Sequence, residues 1–72
     1  MTDRRFEFVE GTSSKFWEIS TSGNNVSVRY GRIGSNGQTQ TKSFTSPTAA
    51  AQHAEKQIAS KLAKGYRELA AV

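Results

Sequence analysis

One change of hydrophobic period limits what this chain can fold into. Up to Phe44 the apolar residues recur at every second position, in short runs broken by glycine, serine and asparagine; from Ser46 onward they recur every three or four. A period of two belongs to strands with one covered face, and a period near 3.6 to a helix with one apolar stripe. An antiparallel sheet followed by a single helix therefore accounts for most of the 72 residues.

Residues 5–9 place Phe6 and Phe8 on one face with charges opposite, and residues 11–14 break the run. Residues 15–20 form the next strand, with Trp17 and Ile19 inward. Phe16 then falls on the polar side with Glu18 and Ser20, where it is either covered by the tail at 67–72 or open to a protein partner. Ser22-Gly23-Asn24-Asn25 supplies the residues a hairpin turn tolerates, and Val26, Val28 and Tyr30 share one face of the third strand. A glycine-punctuated stretch at 31–37 ends in Asn36-Gly37, a short hairpin signal. Residues 38–43 are all polar, as expected of an edge or partner-facing strand, with Phe44 as inward anchor.

Ser46 is a helix-capping residue and Pro47 suits the first helical position. The spacing predicts a stripe of Ala51, Ala54, Ile58 and Leu62, with Lys61 and Lys64 in the last turn, a stop at Gly65 and Tyr66 folding back. Residues 67–72 are expected to be a short closing strand or a tail. The expected fold class is α+β: a small antiparallel β-sheet of about four to five strands with one α-helix packed across one face. The chain reads as a single domain, 1–72, with its core between about 6 and 68 and a short tail at 69–72.

Several function classes are excluded by what is missing. Without cysteine there is no disulfide, no thiolate chemistry and no zinc-finger ligation, so a domain this small is held by packing. No apolar run approaches the ~20 residues of a membrane span, and residues 1–5 lack the hydrophobic stretch of a secretory signal. The chain is accordingly expected to be soluble and cytoplasmic, which voids the sequon Asn25-Val26-Ser27. Residues 36–43 end in Lys-Ser like a phosphate-binding loop but lack both glycines, and Gly31, Gly34 and Gly37 do not have dinucleotide-fingerprint spacing. His53 is the lone imidazole, a partly exposed helix residue, and Glu7 and Glu18 lie on faces read as solvated. No catalytic constellation, cofactor or metal is expected.

The charge is unevenly placed. Residues 1–28 carry three basic and four acidic side chains, whereas residues 29–64 carry six basic ones and only Glu55 as an acid, within a formal net charge of +4. A basic surface facing an anionic partner follows. In that half stand Tyr30, Gly31, Arg32, the turn through Asn36 and Gly37, and a polar strand with Gln38, Gln40 and Lys42. An arginine fork, nearby glycines and an aromatic ring together supply phosphate contact, close backbone approach and stacking.

The string from Val28 through Tyr30-Gly31-Arg32 to Gln38-Thr39 resembles the signature of the WGR domain, named for its Trp-Gly-Arg core. Ser14-Lys15-Phe16-Trp17-Glu18-Ile19 looks like that family's aromatic strand, and Lys42-Ser43-Phe44, the alanine-rich helix and residues 61–66 look like its close. The resemblance covers about residues 6–68 and implies a module of the kind that helps poly(ADP-ribose) polymerases bind broken DNA. It places an aromatic DNA-end contact on Tyr30 and nearby polar or interdomain contacts on Arg32, with Gly31 between them. Tyrosine stands where the family has tryptophan, which keeps a stacking face of smaller area. The zinc fingers and transferase domain of those enzymes do not fit in 72 residues, so ADP-ribosylation is not expected and the chain reads as a module standing alone.

The expected function is a non-enzymatic nucleic-acid-binding module, for DNA and by resemblance its ends or breaks. Its candidate residues are Tyr30, Gly31, Arg32, Asn36, Gln38, Lys42, Lys61 and Lys64. The alternative is a protein-protein adaptor using the same surface, with Phe16 and the polar strand as docking features. Neither membrane nor metal is an expected partner.

Overall fold

The computed structural model describes residues 2–69. Strands β1 (Thr2–Glu10), β2 (Ser13–Ser22), β3 (Asn25–Arg32) and β4 (Gln38–Ser43) precede the helix α1 (Pro47–Ala63), and β5 (Arg67–Glu68) follows it. The sheet is antiparallel in the order β4-β3-β2-β1-β5. The α+β architecture matches the expectation, with the fifth strand contributed by the first residues of the expected tail; residues 70–72 lie outside the described part.

Two matching turns set the register. Glu10 pairs with Ser13 and Ser22 with Asn25, leaving two-residue connections whose first member is Gly11 at φ +58 or Gly23 at φ +59. Glycine at that position gives a turn whose twist matches its flanking strands. The third connection is longer than the Asn36-Gly37 signal implies: the ladder closes at Tyr30 and Gln38, and residues 33–37 form a loop.

On one face the register lines up Phe6, Trp17, Tyr30 and Gln38, and beside them Arg4, Ile19, Val28 and Gln40. Helix α1 crosses β2 and β3 on this face, burying Ala50, Ala54 and Ile58 against Phe6, Trp17, Ile19 and Val26. Phe6 is fully buried with its ring 5.5 Å from that of Trp17. Removing either ring costs about 3–5 kcal/mol, comparable to all the stability a domain of this size has to lose.

The apolar stripe of the helix differs from the expected one. Ala51 is exposed and Leu62 is 47% exposed, while Ala50 and Lys61 occupy the inner side. Three consecutive alanines make the start of the stripe ambiguous in sequence. At its end a lysine takes the inner position because its methylene stem packs while its ammonium reaches outward.

The helix begins and ends as its sequence dictates. Ser46 Oγ accepts the Ala49 N–H at 3.1 Å, with Pro47 inside the first turn. At the other end Gly65 has φ +104, its N–H donates to Leu62 O, and the Tyr66 N–H donates to Lys61 O, a Schellman closure. This closure seats Tyr66 against Phe8, ring centroids 5.4 Å apart.

Phe16 is covered and not open to a partner, but among the described residues its cover is not the strand β5. It points to the face without a helix, yet it is only 2% exposed. Residues 67 and 68 do not cover it, since β5 pairs with β1 and is not adjacent to β2, and residues 70–72 lie outside the described part. Its cover comes instead from the 33–37 loop, which turns back across the ring, and from the guanidinium groups of Arg5 and Arg29, 4.7 and 5.1 Å from its centroid. Gly37 makes this closure possible. It has φ +70, and a Cβ there would lie 2.7 Å from Phe16 Cζ and 2.5 Å from Tyr30 O. Gly31, paired with Phe16 across the ladder, would place a Cβ 2.9 Å from Gly37 Cα.

Gly37→Ala is therefore expected to destabilise the domain by more than about 2 kcal/mol, combining positive-φ strain with steric displacement of a buried ring. Gly34 has φ +94 but open space around its Cβ direction, so Gly34→Ala should cost only about 1 kcal/mol. Urea unfolding of the two variants measures the difference, and equal losses would show that the Phe16 closure is not tight.

Candidate nucleic-acid interface

Alternation along the strands distributes the charges between two unlike faces. On the face without a helix, Arg29 Nε and Nη2 donate to the two oxygens of Glu18 at 2.9 and 3.1 Å, and Arg5 donates to Glu18 and Glu7. Both guanidiniums also lie over Phe16, so Arg5 and Arg29 are held within the protein; Arg67, which pairs with Glu7 and so lies on this face in the edge strand β5, has no ion pair among the described residues. Arg29 Nη1 further donates to Asn36 O at 3.2 Å, fastening the loop. The hydrogen bond from Arg29, assisted by that from Arg5, holds the Glu18 carboxyl below the usual carboxylate range.

The helix-bearing face is arranged differently. Among the described residues the ion pairs engage Arg4, Arg5 and Arg29, leaving Lys15, Arg32, Lys42, Lys61 and Lys64 without one. Lys15 pairs with Arg32 across the β2–β3 ladder, one alternation beyond Trp17 and Tyr30. Lys42 pairs with Val26, so it projects on the same face from the sheet edge. Lys64, the residue that caps the helix C-terminus, acts electrostatically on Lys61, as does Lys15. Lys56 and Arg67, also without ion pairs, lie apart from this set, on the exposed side of α1 and in β5.

Between α1 and β4 the helix does not reach the sheet edge, and a groove of ≈ 690 Å³ remains. Its floor is Val28 and Tyr30, Gln40 stands on the β4 side, and His53, Gln57 and Lys61 follow one another at helical spacing on the other. Each end holds a cation against an aromatic ring. Lys42 Nζ is 5.6 Å from the Phe44 centroid, and Phe44 in turn contacts the His53 ring at 4.8 Å. Lys61 Nζ lies 5.4 Å from Trp17 and 5.2 Å from Tyr66. Burial lowers the pKa of Lys61 from its ordinary value, and Lys64 and Lys15 push it further in the same direction.

The eight sequence-predicted residues divide between these settings. Tyr30, Lys42 and Lys61 line the groove, and Gln38 accepts a 3.4 Å hydrogen bond from the Tyr30 hydroxyl at its edge. Arg32 and Lys64 are exposed. Gly31 and Asn36 belong to the closure over Phe16: Gly31 through its approach to Gly37, and Asn36 through its carbonyl. The sequence reading did not select Lys15, hidden in an acid-rich half, nor His53 and Gln57. The signal for the latter two was present, since 53, 57 and 61 form one i, i+4 row.

Among the described residues there is no group of three or more His, Cys, Asp or Glu able to hold a metal ion. No described helix is long and apolar enough to cross a membrane.

The chain can be compared with known proteins. The family model of the WGR domain matches residues 2–71. The Escherichia coli (strain K12) protein YfeS is 42% identical over 65 residues, which are 90% of this chain and 27% of YfeS. YehF of the same organism is 40% identical over 67 residues, covering 93% of this chain and 24% of YehF. The chain thus spans about a quarter of the length of these curated relatives. A crystal structure of a Bacteroides fragilis protein superposes with a TM-score of 0.93 at 45% identity, covering 96% of this chain and 20% of that one.

The ion-paired face makes a pH prediction. Because the Glu18 pKa is lower in the folded protein than in the unfolded chain, its stabilisation is complete above the unfolded value, about 4.3, and is lost as pH falls through the folded one. Thermal unfolding followed by circular dichroism should show the melting temperature falling below about pH 4.5. Glu18→Gln should be less stable at pH 7 and show a shallower acid decline; parallel profiles would mean that Glu18 contributes nothing.

Proposed function

The chain belongs to the WGR domain family, and from that premise we propose that it is a non-enzymatic nucleic-acid-binding module, for DNA, acting through its helix-bearing face. The observation that carries this reading is the segregation of charge: the unpaired cations Lys15, Arg32, Lys42, Lys61 and Lys64 share the face that holds Tyr30, while on the opposite face Arg5 and Arg29 are satisfied by Glu7 and Glu18, and among the described residues only Arg67, at the far edge in β5, is left without an ion pair there. Unpaired cations release counterions when they meet phosphates, whereas a guanidinium already bonded to a carboxylate must first give that bond up. The family resemblance assigns the aromatic contact to Tyr30 and the polar contact to Arg32, and their shared side of β3 is consistent with joint use. Gly31, between them, serves this reading by letting β3 and the following loop close together. The protein-adaptor reading loses one of its two docking features, because Phe16 is buried.

Binding of labelled DNA at several salt concentrations tests the proposal. If about three phosphates are neutralised, log K should fall against log salt with a slope of about −3. Arg32→Ala and Lys15→Ala should each weaken binding and reduce the slope by about one, with unfolding curves unchanged. Salt-independent binding, or none at low salt, would refute it.

Lys61 provides a second test, because its charge is disfavoured by burial in the free protein. Lys61→Met should keep or raise the melting temperature while weakening DNA binding. A variant that binds as well as the parent would remove Lys61 from the interface.

A further inference from the structure

The groove between α1 and β4 has a shape and lining that specify more than a basic surface. We infer that it receives an unpaired nucleotide, so that the preferred ligand is a single strand and not a closed duplex; this rests on the nucleic-acid reading above. A uniform patch of lysines on a convex surface would meet duplex phosphates and need no depression. Here the cations Lys42 and Lys61 mark the two ends of a groove of ≈ 690 Å³, within the range of pockets that take small organic ligands.

Between those ends the lining suits a base. Tyr30 is half-buried on the floor beside Val28, an aromatic and an aliphatic surface against which a flat ring can lie. Gln40 on one wall and Gln57 on the other offer side-chain amides, each with donor and acceptor atoms, which is the chemistry that reads base edges. Gln57 is held only weakly in place, its Nε2 lying 3.5 Å from His53 Nε2, and Gln40 makes no side-chain hydrogen bond among the described residues. Both amides are therefore available to a ligand. In a closed duplex the base faces are stacked and their pairing edges occupied, so these groups could be used together only if a nucleotide is unstacked and enters the groove. The cations at the two ends then meet backbone phosphates flanking that nucleotide, the combination of stacking and electrostatics by which single strands are held.

Fluorescence anisotropy with three probes tests the inference: a labelled twelve-residue oligothymidylate, a blunt hairpin duplex of equal charge, and free thymidine monophosphate as competitor. At equal salt the single strand should bind about tenfold or more tightly than the duplex, and free nucleotide should compete only at far higher concentration. Gln40→Ala and Gln57→Ala, at surface positions where folding can be verified by circular dichroism, should weaken single-strand binding severalfold and leave duplex binding unchanged. Equal binding of strand and duplex, or amide variants that affect neither, would overturn the inference while leaving nucleic-acid binding intact. Equal affinity for the free nucleotide would overturn the strand as ligand. No binding to any probe at low salt would overturn the functional reading and this inference together.

Discussion

The approach of Gly37 to Gly31, across the ring of Phe16, is the contact on which the arrangement of this domain depends. No side chain larger than hydrogen fits at either position without displacing backbone, and Gly37 also needs the left-handed conformation that glycine adopts without strain. With the loop folded back, Phe16 is removed from water on a face that has no helix to cover it. The same closure places Asn36 O where Arg29 can reach it, and Arg29 then lies over the ring and against Glu18. One face of the sheet is thereby completed by a loop and two arginines instead of by a second layer.

That completion has an electrostatic consequence for the other face. Arg29 is counted among the basic residues of the second half of the sequence, but it is committed to Glu18, as is Arg5. Apart from Lys56 and Arg67, the cations left without an ion pair among the described residues lie around the C-terminal end of α1 and the end of β3, with Lys42 opposite. Lys61 connects this surface to the core, since its stem occupies the inner stripe of α1 and its ammonium lies between Trp17 and Tyr66. Burial lowers its pKa, with Lys64 and Lys15 acting in the same direction, so its ammonium carries a desolvation cost that the exposed lysines do not. The basic residues thus differ in kind: some complete the fold, others have no carboxylate partner among the described residues.

Most of the architecture was legible because local signals agreed with one another. Alternation located β1 to β3, the polar run from Gln38 located the edge strand, and the pairing of Ser46-Pro47 with Gly65 bounded the helix. Failures occurred where a residue acts against its type. Lys61 sits where an apolar residue was expected, so the stripe was carried to Leu62, which faces outward. The cover over Phe16 could not be identified because it comes from Arg5 and Arg29, both charged, and from a loop whose glycines read only as turn chemistry. Lys15 was obscured by its acidic neighbourhood in sequence, although register places it beside Arg32. The groove was invisible for a related reason: its walls come from β4 and α1, whose separation is set by where the helix crosses the sheet.

The division of labour between the faces can be read most directly by mapping backbone amide chemical shifts during titration with an oligonucleotide. Perturbations are expected at Lys15, Arg32, Gln40, Lys42, Lys61 and Lys64, with Ser20, Ser27 and Arg5 on the ion-paired face left unmoved. Perturbations concentrated at Arg5, Glu18 and Arg29 instead would contradict the assignment of binding to the helix-bearing face.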